Sequence, residues 1–166
     1  MGRVRPLAFV DLDGVVADVR HRLHHVQRHP RDWDGFFAAA PQDAVHPEGV
    51  RCIAKLEGQG AEVAFLTGRP EHRRRDTTRW LSAKGFAGRV LHMRPSEDRR
   101  PAAEVKVELV EGLAAPDDVV QVVDDDPRVV EAMRAAGYPA TRATWEPRSV
   151  GGQRALLAAQ EREGRT

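Results

Sequence analysis

The chain has 166 residues, 41% hydrophobic and 31% charged, with a formal net charge of +1. That length buries the core of one domain, and the composition is that of a soluble globular protein. The near-neutral balance excludes a strongly basic nucleic-acid coat, though not a local basic patch, and the single cysteine, Cys52, excludes an internal disulfide.

In chain order, Leu7-Ala8-Phe9-Val10 is a short apolar run ending in acid and reads as a buried strand. It comes too early and is too short for a signal peptide, no stretch approaches a membrane span, and a reducing cytoplasm fits. Residues 19–46 lack a clear strand and are rich in histidine, arginine and aromatics; within them Asp32 is placed to N-cap a short helix carrying Trp33, Phe36 and Phe37. Pro47 opens a helix with an apolar face of Val50, Ile53, Ala54 and Leu56, closed by Gly58 and Gly60. Cys52 lies in it as buried filler.

Ala61 to Leu66 is the second expected strand, stopping at Thr67-Gly68-Arg69-Pro70. A polar helix over 71–84 follows, then a third strand from Arg89 to Met93, a helix from Ala102 to Leu113, and a fourth strand, Val119 to Val123, running into Asp124-Asp125-Asp126-Pro127. A helix from Arg128 to Ala136, a short fifth strand from Pro139 to Ala143 and a surface helix from Gly152 to Arg162 complete the reading. Strands alternating with helices predict an α/β fold with a parallel sheet covered on both faces. Residues 1–166 read as a single domain, with 19–46 either a small cap beside the sheet or a long ordered loop.

In open parallel sheets ligands bind beyond the carboxyl ends of the strands. Three strands here end in reactive groups: Asp11 and Asp13, then Thr67, then Asp124 and Asp125, with Lys106 on the helix before the fourth strand. A carboxylate attacks phosphorus only when the phosphate charge is neutralised, and Mg2+ held by oxygen ligands does that. Asp11 is the expected nucleophile and a metal ligand. Asp13 is the expected acid and base, lending the metal its backbone carbonyl. Thr67 and nearby backbone N–H groups are expected to hold the phosphoryl oxygens, Lys106 to offset charge, and Asp124 to complete the metal site with Asp125 as second ligand or water-holder. Each piece alone has a plainer reading: a turn, a solvated lysine, a helix cap. An EF-hand loop does not fit, since Val15, Ala17, Arg20 and Arg22 offer no suitable side-chain oxygens.

These residues resemble the haloacid dehalogenase-like (HAD) phosphatase superfamily over nearly the whole chain. The motifs match in order: Asp11-Leu12-Asp13-Gly14-Val15, Leu66-Thr67-Gly68-Arg69, Lys106, and Val122-Val123-Asp124-Asp125. The resemblance implies a Rossmann-like core, Mg2+, an aspartyl-phosphate intermediate, and a small cap after the first motif. A closer likeness is to the 3′-phosphatase domain of phage-type polynucleotide kinase/phosphatase. Its carriers are Thr67-Gly68-Arg69-Pro70 with Thr78, Trp80 and Leu81, then Leu91-His92-Met93-Arg94, then Asp98, Arg100, Val105 and Lys106, then Asp124-Asp125 with Val129, Val130 and Glu131. Ala102 departs from that pattern, where the family often has an aspartate. No Gly-x-x-x-x-Gly-Lys-Ser/Thr loop is present, so no fused kinase is expected.

Gly68, Arg69, Arg94 and Arg100 are the candidates to grip substrate. Trp33, Phe36 and Phe37 read either as base-stacking platforms or as a mini-core for the insert. His21 and His25, one helical turn apart, lack a matched carboxylate or cysteine for a metal. The expected partner is a phosphorylated substrate, foremost a polynucleotide or nucleotide 3′ end, with free nucleotides or small metabolites as the alternative. No membrane and no obligate protein partner is expected. A phospho-accepting receiver is the non-enzyme alternative, but it carries its acceptor Asp on the third strand, which here ends at Met93-Arg94.

Overall fold

Residue 9 faces opposite to residues 8 and 10, as the period-2 alternation of a strand requires, and that alternation assigns the two layers of the core. In the structure, a computed structural model describing residues 5–146 together with Leu156 and Ala158, β1 spans Leu7–Val10. Next come β2 (Ala17–Asp18), α1 (His24–Gln27), α2 (Trp33–Ala38), β3 (Ala44–Val45), α3 (Pro47–Gly58) and β4 (Glu62–Pro70). The remainder is α4 (Arg74–Ala83), β5 (Leu91–Arg94), α5 (Ala102–Glu111), β6 (Val119–Asp124), α6 (Pro127–Ala135) and β7 (Ala140–Arg142). The main sheet is parallel, in the order β5-β4-β1-β6-β7. β1 is thus central, with the Thr67 strand on one side and the Asp124 strand on the other.

Ala8 and Val10 pack with Val63, Phe65, Ile53 and Leu56 and with Trp80 and Leu81, so α3 and α4 cover one face. Phe9 packs with Leu66, Val122, Val110, Val129 and Met133, so α5 and α6 cover the other. The chain builds outward from β1 to β5 and returns to build β6 and β7. The order therefore reverses beside β1, and the crevice at such a reversal is where ligands bind in doubly wound sheets.

Residues 19–46 carry the short helices α1 and α2 and are closed at their base by a two-stranded antiparallel stem, β2 with β3. Asp32 does cap α2, accepting from the Gly35 amide at 2.8 Å. Val19, Leu23, Val26, Trp33, Phe36 and Phe37 are all buried in a separate cluster, joined by Leu156. Trp33 lies 5.8 Å from Phe36 and 6.0 Å from Phe37, ring centroid to centroid, within the range of favourable aromatic pairs. The three aromatics form a mini-core and offer no base-stacking platform.

Several boundaries differ from expectation. β4 does not stop at Leu66 but runs to Pro70, with a register shift between Thr67 and Pro70 because β5 accompanies it as far as Arg94. The expected strand at 89–93 accordingly begins and ends later. The helix expected over 71–84 opens with a 3-10 turn, Glu71–Arg73, before α4. α5 ends at Glu111, two residues short of Leu113, and α6 begins one residue early, at Pro127 behind the Asp126 cap. The helix expected over 152–162 lies outside the described residues apart from Leu156 and Ala158, both helical.

Candidate active site

The turn after β1 sets the site. The Leu12 carbonyl accepts from the amides of Val15, Val16 and Ala17 at 2.8–3.1 Å, curling the backbone tightly. Gly14 adopts φ +78°, and a Cβ there would stand 2.3 Å from Asp125 Oδ2. Only a glycine satisfies both the conformation and the space. Asp11 and Asp13 leave this turn in different directions and meet different partners.

Asp11 Oδ2 lies 3.1 Å from Lys106 Nζ, and Asp124 Oδ2 lies 2.6 Å from the same nitrogen. Lys106, on α5, is therefore not a solvated residue; it is buried between the two carboxylates. Asp124 Oδ1 accepts from the Asp126 amide, which fixes its orientation. Asp11, Asp124 and Asp125 each offer a carboxylate oxygen, all within 4.8 Å of one another. Three hard oxygen donors on a central crevice fit Mg2+, and the absent Cβ at Gly14 makes the room in which the third of them stands. Burial pushes Asp11 up to about 8, with Lys106 pulling the other way and Asp124 and Asp13 adding to the rise. Burial also raises Asp124, and raises Asp125 well above the usual carboxylate range with help from Asp124, Asp11 and Glu146. Such crowding is what a divalent ion relieves.

Asp13 is held otherwise. Its Oδ1 accepts from Arg22 Nη2 at 2.8 Å and from Arg69 Nε and Nη2 at 3.0 and 2.5 Å. Burial alone would raise this carboxyl, but the two guanidinium groups together outweigh it and hold it well below the usual range. The arginines are fixed in turn by Asp43, fully buried just before β3, which accepts from Arg22 at 2.7 and 2.8 Å and from Arg69 at 3.0 Å. Arg22 also lies over the Phe36 ring at 4.1 Å, tying this clamp to the cap. Trp80 Nε1 donates to the Asp43 carbonyl at 3.0 Å, tying it to α4. Asp13 Oδ2 and Arg69 Nη1 are buried and make no hydrogen bond within the protein.

Thr67 is buried at the crevice, and its Oγ1 accepts from the Arg69 amide at 3.2 Å, leaving its own O–H to donate elsewhere. The structure thus brings Asp11, Asp13, Thr67, Arg69, Lys106, Asp124 and Asp125 to one place. The side chain of Asp13 stands apart from the three clustered metal donors, facing the arginines. Arg94 and Arg100 have partners of their own. Arg94 is buried, donating to the carbonyls of Gly68, Asp98 and Arg100, and burial lowers it to about 10, still charged at neutral pH. Arg100 lies at the surface, paired with Asp98 and Glu108. The Gly68 carbonyl is taken by Arg94. His21 and His25 do not converge on a metal: the first meets Asp43 and the second Asp32.

Arg22, Asp43, His46 and Glu146 were not singled out by sequence reasoning. Arg22 is one of several arginines in a segment of irregular structure, and no periodicity distinguishes it. Asp43 follows Ala39-Ala40-Pro41-Gln42 without any motif. His46 and Glu146 are 100 residues apart and meet only in the fold, at 3.1 Å. With Asp18 they form the second group of ligating side chains among the described residues.

Comparison with known proteins places this geometry. The family described as the polynucleotide kinase PNKP phosphatase domain matches residues 6–144. No curated protein matches. A chain of the Pnkp1/Rnl/Hen1 RNA repair complex superposes with a TM-score of 0.68 at 25% identity, over 84% of this chain and 42% of that one. A second structure of a Pnkp1/Rnl/Hen1 complex gives 0.67 at 24%, over 86% and 47%. The chain therefore spans less than half the length of those two. A HAD family enzyme from Bacteroides thetaiotaomicron, in complex with magnesium and inorganic phosphate, shares the fold at 11% identity, with a TM-score of 0.56 over 88% of this chain and 98% of that one. With the family match covering most of the sequence and the four motifs gathered at one sheet edge, the chain belongs to the PNKP phosphatase domain family of HAD phosphatases.

Proposed function

We propose that this phosphatase removes a terminal phosphate from a polynucleotide or nucleotide 3′ end through an aspartyl-phosphate on Asp11. The observation that carries the chemistry is the separation of charge control on one turn: Asp11 shares Lys106 with Asp124, while Asp13, two residues on, is held by arginines. The substrate end rests on the family and on the likeness to the RNA repair complex chains.

Asp11, Asp124 and Asp125 are the side chains that would hold Mg2+, and the Asp13 carbonyl is the proposed backbone ligand. When bound, the ion neutralises phosphate oxygens and keeps Asp11 ionised. Asp11 then attacks phosphorus, and the ester oxygen leaves. Lys106 keeps the nucleophile and Asp124 from repelling the entering phosphate. The Thr67 hydroxyl, free to donate, and the unused Arg69 Nη1 are placed to receive phosphoryl oxygens. A phosphate that draws on Arg69 loosens its hold on Asp13. Asp13 then takes up a proton from solvent, passes it to the leaving oxygen, and takes one back from the water that opens the aspartyl-phosphate.

A phosphate-release assay tests the reading, with 3′-phosphorylated oligonucleotides, nucleoside 5′-monophosphates and sugar phosphates as substrates, each with Mg2+ and with excess chelator. The expected result is Mg2+-dependent release, fastest from the oligonucleotide. Faster release from free 5′-monophosphates overturns the substrate, and full activity in chelator overturns the site.

A further inference from the structure

Glu146 is a buried carboxylate for which the chemistry above has no use, and it links the cap stem and the start of α3 to the Gly14 turn. Its Oε1 accepts from the Val19 amide at 3.2 Å, where the cap stem leaves β2. The same oxygen lies 3.1 Å from His46 Nε2. His46 occupies the N-cap of α3 yet makes no capping hydrogen bond, so its ring serves Glu146 instead of the helix. Oε2 points the other way: it lies 3.1 Å from where a Cβ on Gly14 would stand, and Asp125 Oδ2 lies 2.3 Å from that same point. A buried carboxylate and a half-buried one thus converge across a glycine. Asp125 feels Asp124, Asp11 and Glu146 as its acidic neighbours, and Lys106 pairs with Asp11 and Asp124.

We infer that Glu146 is a positioning residue for the divalent cation: anchored through Oε1, it crowds Asp125 toward Asp11 and Asp124 and adds negative potential where the ion sits. This rests on the reading of Asp11, Asp124 and Asp125 as the cation site. Three carboxylates share one lysine there, and the anchored fourth supplies charge and shape from outside the ligand set, as partners behind metal ligands commonly do.

Mn2+ binding, followed by the electron paramagnetic resonance signal of the free ion, tests this without reference to turnover. The unmodified chain is expected to bind one Mn2+. Glu146→Gln, close in shape and still able to accept from Val19, is expected to weaken binding about tenfold without lowering the unfolding temperature of the metal-free protein. Glu146→Asp, which keeps the charge, is expected to recover most of the affinity. His46→Ala, which removes one anchor, is expected to weaken binding about threefold, and it carries the test if Glu146→Gln does not fold. In p-nitrophenyl phosphate hydrolysis, the Mg2+ concentration giving half-maximal rate is expected to rise by a larger factor than kcat falls. Unchanged Mn2+ affinity in both Glu146→Gln and His46→Ala overturns the inference while leaving the cation site standing. Two Mn2+ per chain, one of them lost in Glu146→Gln, also overturns it, making Glu146 a ligand of a separate site with His46 and Asp18. Absence of binding in the unmodified chain overturns the cation site itself.

Discussion

Asp11 and Asp13 are the same side chain two residues apart on one turn, yet the fold drives them in opposite directions. Asp11 sits among carboxylates with a single shared lysine, and burial carries it up to about 8. Asp13 sits among arginines and stays well below the usual range. Neither burial nor sequence neighbourhood separates them, since both are buried and they share a loop. What separates them is the source of positive charge. The protein supplies Asp13 with its own cations and leaves Asp11 short of one. The carboxylates around Asp11 outnumber their one lysine; Asp13 is already paired with two guanidinium groups.

The strongest way to break this comparison is Asp11→Asn. It removes the carboxylate of the proposed nucleophile at nearly constant shape, and loss of two to four orders of magnitude in kcat is the expected scale for an essential group. Folding is expected to survive, because one crowded carboxylate is gone. Near-normal turnover in a folded variant, checked by circular dichroism and a steady-state assay, eliminates the nucleophile.

Arg22→Ala probes the other pocket and inverts the pattern. Asp13 and Asp43 then remain buried with Arg69 as their one remaining guanidinium. Removing one partner from a buried ion cluster costs about 3–5 kcal/mol. A lowered urea midpoint is expected, where Asp11→Asn shows none. Equal stability of the two variants would mean that the clamp contributes nothing to folding.

How much of this was legible differs between the two pockets. Asp11, Thr67, Lys106 and Asp124 sit at strand ends or on the helix between them, and alternation of strand and helix is strongly patterned in sequence. Placing the strands places these groups. The clamp comes from the cap, where α1 has four residues and the stem strands two each. Elements that short carry no period, so Arg22 and Asp43 could not be told from their neighbours. Arg69 reads from sequence as a charge-assisted grip on phosphate; that extension of β4 to Pro70 also buries it against Asp13 is not visible there. Arg94 and Arg100 are candidates from charge and from the family likeness, and neither signal shows the carbonyls and surface acids that these side chains also meet.

Asp13→Asn sharpens the contrast in chemistry. If Asp13 protonates the leaving oxygen, a ribose or alkyl phosphate, which leaves badly, is expected to lose about a hundredfold in the first step. p-Nitrophenyl phosphate leaves without help, and its first step is expected to change little. A burst of nitrophenol followed by slow turnover is expected, since the water that opens the aspartyl-phosphate loses its base. Equal slowing with both leaving groups, measured by rapid quench, removes Asp13 from the acid role.

The smallest expected effect is in the pH dependence of stability, and its sign follows from the two pockets. Asp11 is raised when folded. Between the ordinary carboxylate range and about 8 the folded, metal-free protein therefore holds a proton that the unfolded chain has lost. Stability from this group is present at low pH and declines as pH rises through that window, by at most about 1.4 kcal/mol per unit for one proton. Asp124 and Asp125, also raised, act in the same direction. Asp13 is lowered, so its contribution is present above the ordinary range and is lost as pH falls through and below it. The metal-free protein is expected to be most stable on the acid side of neutrality and to lose stability toward pH 8. Mg2+ competes with the proton on Asp11, so saturating Mg2+ is expected to flatten that decline while leaving the acid limb, set by Asp13 and its arginines, where it was. Urea unfolding between pH 4 and pH 9, with chelator and with Mg2+, reads both limbs. A decline toward pH 8 that Mg2+ does not touch would show that the cation does not meet the proton on Asp11, and the two pockets would then differ in charge but not in what they are built to bind.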